Sequence, residues 1–253
     1  MENLKYTRIK YNNKAYYAEF QDGRYYILDN SYFDGGKRTG EIAINPEALV
    51  PVDEKTSKII AIGKNYKGHI AEIDGIAPKE PLMFLKPNTT LLPNKGSIIM
   101  PEISNQVDYE AELAVIIGKT AKNINEKDYK DYIFGVTCAN DVTARDLQKI
   151  DGQWTRAKGF DTFLPLGEFI IKDIDFENLD IKLILNGDIK QHSNTNNFIF
   201  SVAKILRAVS QVMTLYPGDV ILTGTPEGIG PMQSGDTVTV EIEKIGQLTN
   251  EVK

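Results

Sequence analysis

At 253 residues the chain is long enough for one large domain, or for one domain with a small appendage. Its apolar and charged fractions, 42% and 25%, are those of a folded globular protein and exclude a disordered chain. A net charge of −6 with no basic cluster excludes nucleic acid and anionic membrane as partners, because neither finds an attractive field.

The start, Met1-Glu2-Asn3-Leu4-Lys5-Tyr6, has no apolar signal segment, and no apolar run of the chain is long enough to span a bilayer. The lone Cys138 fits a reducing compartment, so a cytoplasmic protein is expected. Residues 1–53 read as a small β-rich unit. Lys5–Tyr11, Lys14–Phe20 and Arg24–Leu28 are short aromatic and aliphatic runs divided by the hairpin signals Asn12-Asn13 and Asp22-Gly23. Its many tyrosines are expected to pack. The prolines at 46 and 51 mark a boundary, with a catalytic domain expected over 54–253.

Lys58–Ile62 reads as a strand that breaks into Gly63-Lys64-Asn65-Tyr66-Lys67-Gly68-His69-Ile70-Ala71-Glu72. On a helical turn His69 and Glu72 share a face, which suits either a solvated surface or a carboxylate-oriented base. The turn-rich Asp74–Glu80 is a candidate mobile flap, and Pro81–Pro87 a strand entering a polar turn.

Val107–Gly118 alternates acidic and apolar residues and then turns wholly apolar, as a strand sinking into a core would. Residues two apart on a strand point the same way, so Glu110 and Glu112 aim two carboxylates in one direction. The pattern fits a solvated face, or a pair held by a hard divalent cation; Asp141, at the end of the apolar strand Ile133–Cys138, is the third candidate ligand. Asn125–Tyr132 is expected to be a short helix capped by Asn125. Asp141, Arg145 and Gln148 are spaced to face one cavity.

A loop over 152–161 carries the only tryptophan and Lys158, and Leu164–Ile171 reads as a buried strand. Asn186-Gly187 signals a type I′ hairpin, and His192 just beyond it is expected at an exposed turn. Ser201 caps an amphipathic helix. The glycine-rich Thr223–Gly230 has neither the lysine of a phosphate loop nor a dinucleotide fingerprint, but can offer backbone N–H groups to a carboxylate. Thr237–Ile245 closes the chain as an alternating strand.

Five segments, in order, resemble the motifs of the fumarylacetoacetate hydrolase family, in its acylpyruvate hydrolase and oxaloacetate decarboxylase-like branch. They are Gly63–Glu72, Phe84-Leu85-Lys86-Pro87, Asp108–Leu113, Asn140–Gln148 and Leu222–Gly230. Lys64 stands where that family usually has arginine. The resemblance implies a mainly β (α+β) fold, a mixed β-roll with few helices. It implies metal ligands at Glu110, Glu112 and Asp141, for Mg²⁺ or Mn²⁺. It further implies a water-activating pair, His69 and Glu72, a catalytic Lys158, and substrate contacts from Arg145, Gln148 and Thr225. A homodimer and a small 2-oxo acid substrate follow from the same resemblance.

The reaction so implied is hydrolysis of the C–C bond of an acylpyruvate-type 2,4-dioxo acid through a metal-stabilised pyruvate enolate. Oxaloacetate decarboxylation, and isomerisation or decarboxylation of 2-oxo dicarboxylates from aromatic degradation, are the alternatives. A non-enzymatic metal- or 2-oxo-acid-binding module would have no use for His69 and Glu72.

Overall fold

Apolar alternation along the strands builds two sheets that share a core. The computed structural model describes residues 4–53, 56–72 and 76–253. The larger, eleven-stranded sheet runs, in order, Arg38–Ala43, Arg24–Leu28, Lys14–Gln21, Lys5–Tyr11, Ile170–Ile171, Ile133–Asn140, Ala111–Ile117, Val220–Leu222, Ile59–Gly63 and Leu82–Lys86, with Glu47–Ala48 beside Lys5–Tyr11. Every pairing in it is antiparallel except that of Val220–Leu222 with Ile59–Gly63. A second sheet of five strands runs Asp188–Asn194, Asp180–Leu185, Thr237–Ile242, Gly246–Val252 and Ser97–Ile98. The helices among the described residues are α1 (Lys67–Glu72), α2 (Arg145–Asp151), α3 (Thr155–Lys158) and α4 (Val202–Val212), so the expected mainly β fold is the observed one.

The Ala111–Ile117 strand is apolar beyond its acidic start because both its faces are covered. Leu113, Val115 and Ile117 pack with Ile181, Leu183, Val238, Val240 and Leu248 of the second sheet. Ala114 and Ile116 face the other side, with Ile59, Ala61, Val220 and Leu222. The N-terminal strands keep a small cluster of their own, Ile9, Ala18, Ile27 and Ala43, yet extend the same large sheet through Lys5–Tyr11 on Ile170–Ile171. Tyr6 and Tyr32 pack against Phe134 with ring centroids 5.0 and 5.2 Å away, the packing role expected of these rings.

The hairpin signals hold. Asn12 and Asn13, Asp22 and Gly23, and Asn186 and Gly187 all have the positive φ that a type I′ turn requires. Ser201 Oγ accepts the Lys204 N–H and caps α4. Several expectations need correction. Val107–Ile117 is not one strand: Val107–Tyr109 pairs with Thr143–Ala144 and Gly230–Pro231 in a separate small sheet, and the break falls at Glu110. Residues Glu126–Tyr132 form a 3₁₀ helix, with no cap bond from the Asn125 side chain. Leu164–Ile171 divides into Leu164–Pro165 and Ile170–Ile171, which join different sheets around Gly167. The final strand turns at Ile242 and returns as Gly246–Val252. His192 lies within an exposed strand, not at a turn. Part of the expected flap, residues 74 and 75, lies outside the described residues. No helix among those residues is long and apolar enough to cross a membrane.

Candidate active site

The break at Glu110 organises the site. The Glu110 N–H is taken by Asn140 Oδ1 at 2.9 Å and its carbonyl by the Asp141 N–H at 2.9 Å, so the two strand ends are tied together. Carboxylate oxygens of Glu110, Glu112 and Asp141 lie within 4.8 Å of one another, and all three residues are buried. Such a cluster is costly unless cations answer it. Lys158 Nζ lies 2.8 Å from Glu110 Oε2 and 2.7 Å from Asp141 Oδ2, and Lys86 Nζ lies 2.6 Å from Asp141 Oδ1. Arg145 places Nε 2.8 Å from Asp108 Oδ2, donates through Nη2 to Glu110 Oε1, and donates through Nη1 to Gln148 Oε1 at 2.6 Å.

Among the described residues the ion pairs of Asp108, Glu110 and Asp141 are to Lys86, Arg145 and Lys158, and the carboxylate left without one is Glu112. Its bonded donor is neutral, the Gly224 N–H at 2.6 Å. Burial, then Asp141 and Glu110, push its carboxyl well above the ordinary range. Burial also works against ionised Glu110, but Lys158, Arg145 and His69 outweigh it and hold that carboxyl far below the usual value. Lys158 is the reciprocal case: burial opposes its charge, and Asp141 with Glu110 raises it above the ordinary lysine range. For Lys86 burial prevails over Asp141, and its value falls. An all-oxygen donor set with one uncompensated negative charge fits a hard divalent cation, held by Glu110, Glu112 and Asp141.

α1 carries His69 into the same cavity. The imidazole is buried, and its Nδ1 lies 3.4 Å from Glu72 Oε2, while Glu72 Oε1 accepts the Gly228 N–H at 3.0 Å. The glycine-rich loop therefore does offer N–H groups to carboxylates, but to the protein's own Glu112 and Glu72. The cavity, about 310 Å³, is lined by His69, Glu110, Glu112, Asp141, Arg145, Gln148, Lys158 and Thr225. Of the nine residues expected at the site only Glu72 does not line it; it stands behind His69.

The structure adds residues to which the motifs gave no role. Lys86 and Asp108 complete the buried charge cluster, and the visible signal for Lys86 is a lysine closing the apolar strand Leu82–Lys86. Gln191, on the second sheet, accepts the Ala111 N–H at 2.9 Å and donates to Thr225 Oγ1 at 2.9 Å and to the Pro226 carbonyl at 2.8 Å. Nothing local in Lys190-Gln191-His192 announces that contact. Trp154 packs edge-on to Phe84 at 5.1 Å and both line the cavity. Arg156 pairs with Asp151 on the surface and His192 is exposed near Asp180, so neither enters the site. Cys138 is buried, and burial pushes its thiol up to about 12, as suits a packing residue.

A buried cluster of three carboxylates beside an oriented imidazole is an arrangement that could hold a metal ion and move a proton. The chain belongs to the fumarylacetoacetate hydrolase family: residues 58–253 match the model of the fumarylacetoacetate (FAA) hydrolase C-terminal domain. It is 43% identical over 215 residues to Oxaloacetate tautomerase Fahd2a, mitochondrial, of Rattus norvegicus, covering 81% of this chain and 68% of that one. The structure of 2-hydroxyhepta-2,4-diene-1,7-dioate isomerase from Mycobacterium marinum superposes with a TM-score of 0.91 at 39% identity, over 98% of both chains. Fumarylpyruvate hydrolase from Pseudomonas aeruginosa, solved with Mn²⁺ and pyruvate, gives 0.74 at 29% identity, over 80% of this chain and 90% of that one.

Proposed function

We propose that the chain is an enzyme that moves a proton at the carbon beside the 2-oxo group of a 2-oxo acid, interconverting its keto and enol forms. The observation that carries this reading is the buried His69, oriented by Glu72, in the cavity floored by Glu110, Glu112 and Asp141. With Nδ1 facing Glu72, Nε2 is the atom that takes the proton. The C3–H bond breaks as its proton passes to Nε2, its electron pair forms the C2–C3 double bond while the C2–O π pair moves onto oxygen, and that oxygen takes a proton from water as Nε2 returns its own to solvent, giving the enol; the reverse sequence restores the ketone. Lys158 supplies fixed positive charge, Gln148 and Thr225 polar contacts, and the Phe84 and Trp154 rings shield the site from water. When bound by the three carboxylates, Mg²⁺ or Mn²⁺ supplies Lewis acidity toward the negative charge developing on the 2-oxo oxygen. Arg145 is engaged with Asp108, Glu110 and Gln148, which fits a residue that fixes the cluster more than one that clamps substrate. Relatives named as an oxaloacetate tautomerase and as an isomerase support the assignment.

A second reading, C–C hydrolysis of an acylpyruvate, is favoured by the same pair of residues. His69 backed by Glu72 can draw a proton from water; the hydroxide attacks the distal carbonyl, the C–C bond breaks, and pyruvate leaves as its enolate. A single experiment separates these readings. Purified protein with Mg²⁺, Mn²⁺ or EDTA is given oxaloacetate, with its enol absorbance and pyruvate release followed together, and in parallel acetylpyruvate. Loss of enol absorbance without pyruvate release, falling about 100-fold in His69→Asn, supports tautomerisation. Acetylpyruvate cleavage with no effect on the enol selects hydrolysis. Pyruvate release from oxaloacetate that survives His69→Asn makes the enzyme a decarboxylase, and no turnover of either compound rejects all three.

A further inference from the structure

Where the strand breaks at Glu110, the N–H groups of Glu110 and Ala111 are taken by side-chain amides. Asn140 Oδ1 accepts the first and Gln191 Oε1 the second, each at 2.9 Å. Gln191 is 1% exposed and belongs to Asp188–Asn194, the outer strand of the second sheet, 80 residues along the chain from Ala111. Its amide nitrogen reaches the glycine-rich loop. Nε2 donates to Thr225 Oγ1 at 2.9 Å and to the Pro226 carbonyl at 2.8 Å, with the Glu227 carbonyl further off at 3.5 Å. Thr225 lines the cavity and Gln191 stands behind it. One buried side chain thus joins the backbone between Glu110 and Glu112 to a hydroxyl of the cavity lining.

The partners of Gln191 fix which way its amide points. The Ala111 N–H can only donate and the Pro226 carbonyl can only accept, so a reversed amide would set donor against donor and acceptor against acceptor. Thr225 Oγ1 is therefore an acceptor toward Gln191, because an amide nitrogen offers no lone pair in return. The one proton of that hydroxyl has no acceptor among the described residues, and the residue, 3% exposed, borders the cavity. Gln148, also in the lining, repeats the arrangement. Its Oε1 accepts Arg145 Nη1 at 2.6 Å, so its Nε2 is the end left to donate. The buried cations Lys86, Arg145 and Lys158 are each bonded to a carboxylate of the protein. A hydroxyl and an amide both set as donors fit a ligand group that only accepts, which is a carboxylate.

We infer that Gln191 is a positioning residue for substrate binding: from behind the cavity it holds the Thr225 hydroxyl as a donor to the substrate carboxylate. Without Gln191 the hydroxyl is free to rotate and to donate to the protein's own oxygens. This inference rests on the proposed reading of the cavity as a 2-oxo acid site. A carboxylate carries the same charge before and after the proton moves, so the contact contributes to binding and KM and leaves kcat little changed.

A double-mutant cycle on the full chain tests it, with pyruvate titrated calorimetrically at saturating Mn²⁺ and thermal unfolding followed on the same samples. Thr225→Val is expected to weaken pyruvate about tenfold, and Thr225→Ser, which keeps the hydroxyl, to restore it. Gln191→Met is expected to cost a similar factor in the wild-type background and less than about twofold in Thr225→Val, while lowering the unfolding temperature equally in both. Where Gln191→Met does not fold, Gln191→Asn, too short to span from Ala111 to Thr225, takes its place in the cycle. An equal loss of affinity in both backgrounds makes Gln191 a structural residue and overturns the inference. So does full affinity in Thr225→Val. A wild type that binds Mn²⁺ but not pyruvate overturns both the inference and the 2-oxo acid reading. Coupled binding in a protein that turns over neither oxaloacetate nor acetylpyruvate leaves the positioning role standing and rejects the reaction alone.

Discussion

Lys158 shows how far a single buried residue carries the site. Its ammonium is the shared partner of Glu110 and Asp141, and it lies 5.4 Å from the Phe84 ring centroid. Replacing it with methionine keeps the volume and removes the charge, leaving two buried carboxylates with only Arg145 and Lys86 to answer them. Such a loss costs about 3–5 kcal/mol. Urea unfolding of Lys158→Met without metal is expected to show a deficit of that size, shrinking when Mg²⁺ or Mn²⁺ is present because a cation again faces the carboxylates. An unchanged midpoint would mean the cluster is protonated, not paired. His69 and Glu72 differ in rank. His69→Asn removes the proton acceptor, while Glu72→Gln removes only its orienting charge, so the second is expected to cost less than the first in kcat on whichever substrate turns over. The carboxylate triad was legible from the Glu-x-Glu pattern and Asp141. Of the cations that make its burial tolerable, Arg145 was legible at the cavity from its spacing to Asp141 and Lys158 through the family resemblance, but Lys86 was not, because it reaches the triad from a strand 24 residues before Glu110 and only the fold brings them together.

Among the elements, the segment joining the Ile59–Gly63 strand to α1 is held by one side chain. Asn65 is wholly buried; its Nδ2 donates to the carbonyls of Phe200 and Thr223 at 3.1 and 2.7 Å, and its Oδ1 accepts the Phe200 N–H at 2.7 Å. It thereby links α1's approach, the start of α4 and the glycine-rich loop. Asn65→Ala leaves buried backbone groups on two other segments without partners, at about 1–3 kcal/mol for each left unsatisfied. Thermal unfolding should register the loss, and kcat should fall as well because His69 and the Gly224 N–H both move with this junction. A variant that loses stability yet retains full kcat would detach the junction from catalysis. Gly224 explains why the loop needs glycine: its φ is +98°, and a Cβ there would meet Asn65 Cβ at 2.7 Å. The regular hairpins were legible because turn chemistry and alternation agree locally. The break at Glu110 and the split of Leu164–Ile171 were not, since each depends on which sheet the next few residues join, and strands of two or three residues carry too little periodicity to announce that.

For the molecule as a whole, the cluster ties folding to protons and to metal. Metal-free, Glu112 has a carboxyl raised by burial and by its neighbours Asp141 and Glu110. An acid raised in the folded state binds its proton more tightly there than in the unfolded chain. Its contribution to stability is therefore fully present below the ordinary glutamate value and is lost as pH rises through the folded value. Metal binding has the opposite dependence, because a ligating carboxylate must first release its proton. Unfolding temperature followed across neutral pH should thus fall with rising pH in EDTA and fall less, or rise, with Mg²⁺ or Mn²⁺, so that the gap between the curves widens toward high pH. At metal concentrations 100-fold above Kd the gap corresponds to about 2.7 kcal/mol. Glu112→Gln, which cannot ionise, is expected to flatten the EDTA curve and close most of the gap. Parallel curves in the wild type would show that Glu112 is ionised without metal, and that Lys158 and its neighbours compensate the cluster unaided. The site would then have no electrostatic need for a divalent cation. The widening gap is the outcome that a leftover carboxylate with no cationic partner demands.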